Sequence, residues 1–158
     1  MNQRSLRRDL TVARSQRERL AAVLLHLSRT MPGAGALLAV LCGADIPTRV
    51  RIGHSIRFPH GARGVVIHPR VVIGNRVVIN HGVTIGERDR SHAAPVIEDD
   101  VHIGAGAVVI GGVTLGAGCR IGANAVVTHN VPPGATAVGN PAHIIAGNRD
   151  VNATSLQG

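Results

Sequence analysis

Apolar residues recur every six positions through most of this chain. The series runs Ile46, Ile52, Phe58, restarts as Ile67, Ile73, Ile79, Ile85, and continues as Ile97, Ile103, Val109, Leu115, Ile121, Val127. A second small or β-branched residue often follows four places later, as at Val50, Ile56, Val71, Val77, Val83, Val101, Ala107, Val113, Cys119, Ala125 and Val131. Gly often stands directly after the first position, as at Gly53, Gly74, Gly86, Gly104, Gly116 and Gly122. A period of six is neither the 3.6 of a helix nor the 2 of an ordinary strand. It is the period of a parallel β-helix, where one repeat makes one short strand with its turn and three repeats close a triangular coil. The pattern therefore predicts a mainly β fold, with a β-helix over 45–133.

The flanks carry a different pattern. Leu20, Val23, Leu24 and Leu27 share one helical face and Leu37, Leu38 and Leu41 another, with Pro32, Gly33 and Gly35 between. Two short helices, at about 16–30 and 34–42, are expected to form a helical cap (16–44) on the open end of the solenoid. Residues 1–15 are expected to be a disordered Arg-rich arm. Pro132-Pro133-Gly134 is expected to end the repeat, leaving 134–158 as a tail that is disordered in part.

Two departures from the six-residue beat stand out. Three extra residues enter between Phe58 and Ile67, around His60-Gly61-Ala62-Arg63, and residues 86–95 (GERDRSHAAP) are polar where a strand is due. Both are expected to be loops on a rigid scaffold, which is where chemistry usually sits. With the insertions removed, Phe58, Ile79, Ile103 and Ile121 fall on one face, and His60, His81, Ala105 and Ala123, two residues beyond each, fall in one column.

Composition agrees with this reading. Phe58 is the sole aromatic residue, which suits a narrow prism filled by Ile, Val and Ala and removes the stacking platforms of single-strand and RNA binders. The net charge of +8 comes from seventeen Arg and no Lys, with Arg4, Arg7, Arg8, Arg14, Arg17 and Arg19 in the first nineteen residues. The arm reads as a solvated segment, while Arg on the body suits a polyphosphate ligand. Nucleic acid and membrane are not expected as partners. Cys42 and Cys119 make no disulfide framework, no metal-ligand spacing is present, and no apolar run reaches membrane-spanning length. No metal is expected, and the cytoplasm is the expected compartment.

From Gly43 to Ile145 the chain resembles the serine O-acetyltransferase branch of the hexapeptide-repeat acyltransferases. The matching stretches are GADIP at 43–47, FPHGARGVVIHP at 58–69, VTIG at 83–86, IGAGAVVIGGVTLG at 103–116, IGANAVV at 121–127 and VPPGATAVGNPA at 131–142. The resemblance implies a left-handed coil, against the usual right-handed preference of parallel crossovers, and a homotrimer with sites in the grooves between subunits. It implies acetyl-CoA as co-substrate and a small-molecule hydroxyl as acceptor. It also implies His60 as general base oriented by Asp45, and a pantetheine arm running beside Gly86, Ala105 and Ala123. Such roles fit the chemistry: acetyl transfer from a thioester to a hydroxyl needs a base near neutral pH and a group that fixes its tautomer. Around the acceptor, His81, Arg63 and His92 are the candidate residues, His92 by reaching a neighbouring subunit's site.

The chain departs from the family at Pro59, where an Asp precedes the His, and at Ala93-Ala94, where an Arg-His pair precedes the Pro. In the family those positions help hold serine. The leading expectation is a serine O-acetyltransferase feeding cysteine synthesis. One alternative is an O-acetyltransferase for a sugar, glycan or specialised-metabolite hydroxyl. The other is a non-catalytic β-helix scaffold.

Overall fold

In the computed structural model, described over residues 7, 10, 11, 13, 16–28, 31, 40–89 and 92–145, short strands stack in parallel columns around a narrow prism. In chain order the elements are α1 (Gln16–Ser28), β1 (Arg51–Ile52), β2 (Val66–Ile67), β3 (Val72–Ile73), β4 (Val78–Ile79), β5 (Thr84–Gly86) and β6 (Val96–Ile97). They continue as β7 (His102–Ile103), β8 (Val108–Ile110), β9 (Thr114–Leu115), β10 (Arg120–Ile121), β11 (Val126–Val127), β12 (Thr136–Val138) and β13 (His143–Ile145). Three sheets result, ordered β1-β3-β6-β9, β4-β7-β10-β12-β13 and β2-β5-β8-β11. They are the faces of a left-handed parallel β-helix.

The register is the six-residue beat made physical. Ile67, Ile85, Val109 and Val127 are paired neighbours on one face, Ile52, Ile73, Ile97 and Leu115 on the second, and Ile79, Ile103, Ile121 and Ala137 on the third. Phe58 joins the third column through the bridge from Arg57 to Val78. Most of these side chains are fully buried. Each contributes roughly 1.5–3 kcal/mol by leaving water, so the repeat itself supplies most of the fold's driving force. The residues just before them point outward, which is why the short strands alternate exposure and burial.

Two corners of the prism need a left-handed backbone. One stacks Ser55, Arg76, Asp100, Gly118 and Gly134 at positive φ, and the other Gly43, Gly64, Gly82, Gly106, Asn124 and Gly139. Side chains flanking the first corner form a ladder. Asn75 accepts from the His54 N–H at 3.1 Å, and Asp99 accepts from the Asn75 N–H at 2.8 Å. Arg76 donates to Asp100 at 2.6 Å and to Asp99 at 3.1 Å. These bonds hold the Asp99 and Asp100 carboxyls below the usual range, the first mainly through Asn75 and the second mainly through Arg76.

The repeat runs further than Pro132-Pro133-Gly134. Val131 bridges Leu115, sixteen residues earlier instead of eighteen, so it takes a face position in a shortened coil. β12 then pairs parallel to β10, and β13 folds back antiparallel on β12. The tail expected from residue 134 thus includes two strands; residues 146–158 lie outside the described residues. So does most of the 1–15 arm. Of the second expected helix, 34–39 lie outside the description, and helical backbone is seen at 40–42.

The first helix ends at Ser28, and it packs on the start of the prism. Ala21, Leu24 and Leu25 join the core, and Glu18, only 4% exposed, pairs with Arg57 at 2.9 Å. Among the described residues no helix is long and apolar enough to cross a membrane.

Candidate active site

The turn at 59–64 stands at the corner between the third and first faces. Gly61, Ala62 and Gly64 all have positive φ there, at 71°, 62° and 64°. Three left-handed residues let the extra length leave the coil and return without breaking the stack. The chain rejoins its column at Arg63-Gly64: Gly64 donates to the Cys42 carbonyl and Gly82 to the Arg63 carbonyl. Above them Gly106 donates to the His81 carbonyl and Asn124 to the Ala105 carbonyl.

The column is therefore Arg63, His81, Ala105 and Ala123, and His60 is not its first member. The insertion displaces His60 by three residues and hands its place to Arg63. The His60 ring nevertheless meets His81 edge to face, with centroids 4.9 Å apart at 89°. Both side chains are exposed. α1 braces this turn from outside, since a Cβ at Gly61 would meet Arg17 Cβ and O at 3.3 Å.

Asp45 starts the same face one coil lower, bridged through its backbone to Val66, with its side chain exposed. His60 and Asp45 thus share an edge of the prism. Among the described residues no hydrogen bond or ion pair joins them. Cys42, beside Arg63, has its thiol pushed up by burial, with Arg63 pulling the other way.

Gly86 lies across the face from Ala105 and Ala123. It ends β5, whereas the two alanines stand before β8 and β11. Its surroundings are open, the nearest atom to an added Cβ being His68 Cβ at 3.9 Å. Ala105 and Ala123 flank left-handed turns and carry no side chain past Cβ, so this edge above His81 is low and accessible.

The second loop folds back on its own chain. Arg70 pairs with Glu87 and lies 2.8 Å from His92 Nδ1. His68 Nε2 is 3.6 Å and His92 Nδ1 3.8 Å from the Glu87 carboxylate. His92, expected to reach toward another subunit, is here held beside Arg70 of its own chain. Ala93 sits over Gly112, where an added Cβ would come within 2.8 Å of the Ala93 Cβ. Residues 90 and 91 lie outside the description.

The set Arg70, Glu87 and His68 did not emerge from the sequence as a unit. Its signal is positional: Arg49 and Arg70 each lie three residues past an inward Ile of the first face, Ile46 and Ile67, and so occupy equivalent corner positions. Among the described residues no group of His, Cys, Asp and Glu is arranged to hold a metal ion.

Comparison with known proteins agrees with the architecture. Residues 94–129 match the bacterial transferase hexapeptide (six repeats) family. Serine acetyltransferase 4 of Arabidopsis thaliana is 54% identical over 44 residues, which are 28% of this chain and 12% of that protein. The chain thus matches far less than two thirds of that relative's length. Soybean serine acetyltransferase, solved as apoenzyme and complexed with serine, superposes with a TM-score of 0.78 at 34% identity, covering 90% of this chain and 68% of that one. A serine acetyltransferase in complex with CoA superposes at 0.71 with 34% identity, covering 79% and 55%.

Proposed function

This chain belongs to the serine acetyltransferase-like hexapeptide-repeat transferases, and we propose that it transfers acetyl from acetyl-CoA to a hydroxyl, with L-serine as the leading acceptor. The observation that carries the reading is the exposed His60, set by a left-handed turn against His81 at the edge of a column of small residues. His60 acts as general base. It takes the hydroxyl proton as the oxygen attacks the thioester carbonyl; the tetrahedral intermediate then collapses, the C–S bond breaks, and the proton passes to the departing CoA sulfur. His81 borders the acceptor and limits the rotamers open to His60. Arg63, exposed in the same column, supplies a cation for an acceptor carboxylate or for developing oxyanion charge.

Asp45 is assigned as the carboxylate that orients His60 and stabilises its imidazolium once substrates fill the site. It lies on the same edge, and hydrogen bonds of this kind tighten on substrate binding. Ala105 and Ala123 leave backbone groups open beside His81 for the pantetheine arm, with Gly86 bordering the far side of the face. The reading includes assembly as a homotrimer, whose grooves between prisms would give walls to a site that is shallow in one chain, and a cytoplasmic role in cysteine synthesis.

A second reading keeps the enzyme class with a sugar or other hydroxyl as acceptor. Ala93 favours it, because Ala93 is packed onto Gly112 and offers no charge for a zwitterion. Thiol release from acetyl-CoA, measured with L-serine beside a panel of sugars, separates the two. Serine-dependent release that is lost in His60→Ala is the expected result. Near-wild-type release in a folded His60→Ala protein would remove His60 from the mechanism.

A further inference from the structure

The corner at the second loop holds a pocket of about 420 Å³, lined by Arg49, Arg51, Arg70, His92, Pro69, Val72, Ala94 and Val96. That volume lies within the range of small-molecule sites. Its walls divide by chemistry: Pro69, Val72, Ala94 and Val96 form an apolar floor, and three guanidiniums and an imidazole stand over it. Among the described residues no carboxylate lines it. The nearest acid, Glu87, is engaged by Arg70 and faces His68 and His92 from the loop side. Arg49 and Arg51 are exposed, and among the described residues neither side chain makes a hydrogen bond or ion pair.

The stack explains why these charges converge. Arg49 and Arg70 hold equivalent positions in successive coils, and Arg51 is paired in register with Val72, next to that corner. Adjacent coils lie about 4.8 Å apart, so like charges are forced together. Such crowding costs stability unless an anion relieves it. The salt bridge to Glu87 offsets Arg70 alone.

We propose that this pocket is an oxyanion site, for a phosphate or carboxylate carried on a small organic ligand. Arg49 and Arg51 grip the anion, Arg70 is held in place by Glu87, and the apolar floor takes the neighbouring carbon atoms. The site stands on its own observations and holds whether or not acetyl transfer is the reaction. Guanidiniums suit it because their planar forks bind two oxygens at once.

Inorganic phosphate is the first probe, titrated into the full-length protein by calorimetry at low salt. Binding by wild type that falls at least about tenfold in the double variant Arg49→Gln/Arg51→Gln, and weakens as salt rises, is expected. Arg49→Lys/Arg51→Lys should recover part of it, and Arg120→Gln, exposed on the third face, should leave it unchanged. Equal phosphate affinity in wild type and the Gln double variant, with both folded by circular dichroism, overturns the proposal; so does no phosphate binding by wild type. Two further titrations identify the source of the anion. Loss of CoA affinity in the double variant, with 3′-dephospho-CoA unaffected, marks a cofactor phosphate. Loss of affinity for a carboxylic acceptor, with CoA affinity intact, marks the acceptor.

Discussion

The two interruptions of the repeat solve the same problem in opposite ways. At 59–64 the extra residues turn on left-handed backbone, Gly61, Ala62 and Gly64, and are braced by α1 from outside. At 87–95 the loop is held by charge, through Arg70, Glu87, His68 and His92. The first leaves the proposed base, His60, without an ion pair among the described residues, its ring set edge to face against His81. The second commits its side chains to one another. The freedom at the first leaves the His60 ring open to a carboxylate partner that closes on it only when substrates fill the site. A ligand-gripping corner gains from charges already in place. If the proposed roles hold, backbone conformation positions the chemistry and ion pairs position the binding.

Substitutions that strike one interruption and spare the other test this contrast. The largest effect should come from His60→Ala, which should lower kcat by roughly 10²–10⁴-fold and leave the melting temperature near wild type, because His60 is exposed. Next is the brace. Arg57→Leu leaves the Glu18 carboxylate buried without its guanidinium and should cost about 3 kcal/mol in denaturant unfolding, with the phosphate site unaffected. Gly61→Ala should follow, at about 1–2 kcal/mol for the left-handed backbone, with the methyl group also pressing on Arg17. Gly112→Ala carries no positive-φ penalty but sets its methyl 2.8 Å from the Ala93 Cβ, so that Ala93 must move, and it is read by function rather than by stability. Its readout is a changed KM for the acceptor with kcat nearly kept.

The smallest effect lies outside both interruptions and calibrates them. Partial burial, then the Arg120 and Arg57 charges, hold the His102 imidazole below its ordinary 6.5. A depressed folded-state value means that the unfolded chain binds the proton first as pH falls. The stability involved is fully present above pH 6.5 and is lost as pH drops below it. Unfolding at about pH 7.5 and about pH 5.5 should therefore differ by less in His102→Asn than in wild type, by under ~1 kcal/mol. An unchanged difference would show that His102 does not couple to folding.

The faces were legible because inward residues repeat every six positions, and that spacing survives any detail of the turns. Phe58, Ile79, Ile103 and Ile121 could be aligned from sequence for this reason. Val131 could not. It keeps the four-residue step of a second position, yet it pairs with Leu115 because the last coil is two residues short. The His60 column was legible in part: His81 stacks on Arg63 through its backbone and on His60 through its ring, and only coordinates separate the two. The Glu18–Arg57 pair and the Arg49–Arg70 corner join residues that no local motif links. The turn of the coil came from resemblance, since left- and right-handed prisms share one period.

A stack of identical parallel rungs has no intrinsic length, because each rung offers the next one the same template. β13 breaks that symmetry. It lies antiparallel on β12, with Ile144 opposite Ala137, so the rim it presents runs the wrong way for another parallel rung. The reversal acts as a chain terminator on this face: a copy added end to end would meet a strand of the wrong direction there.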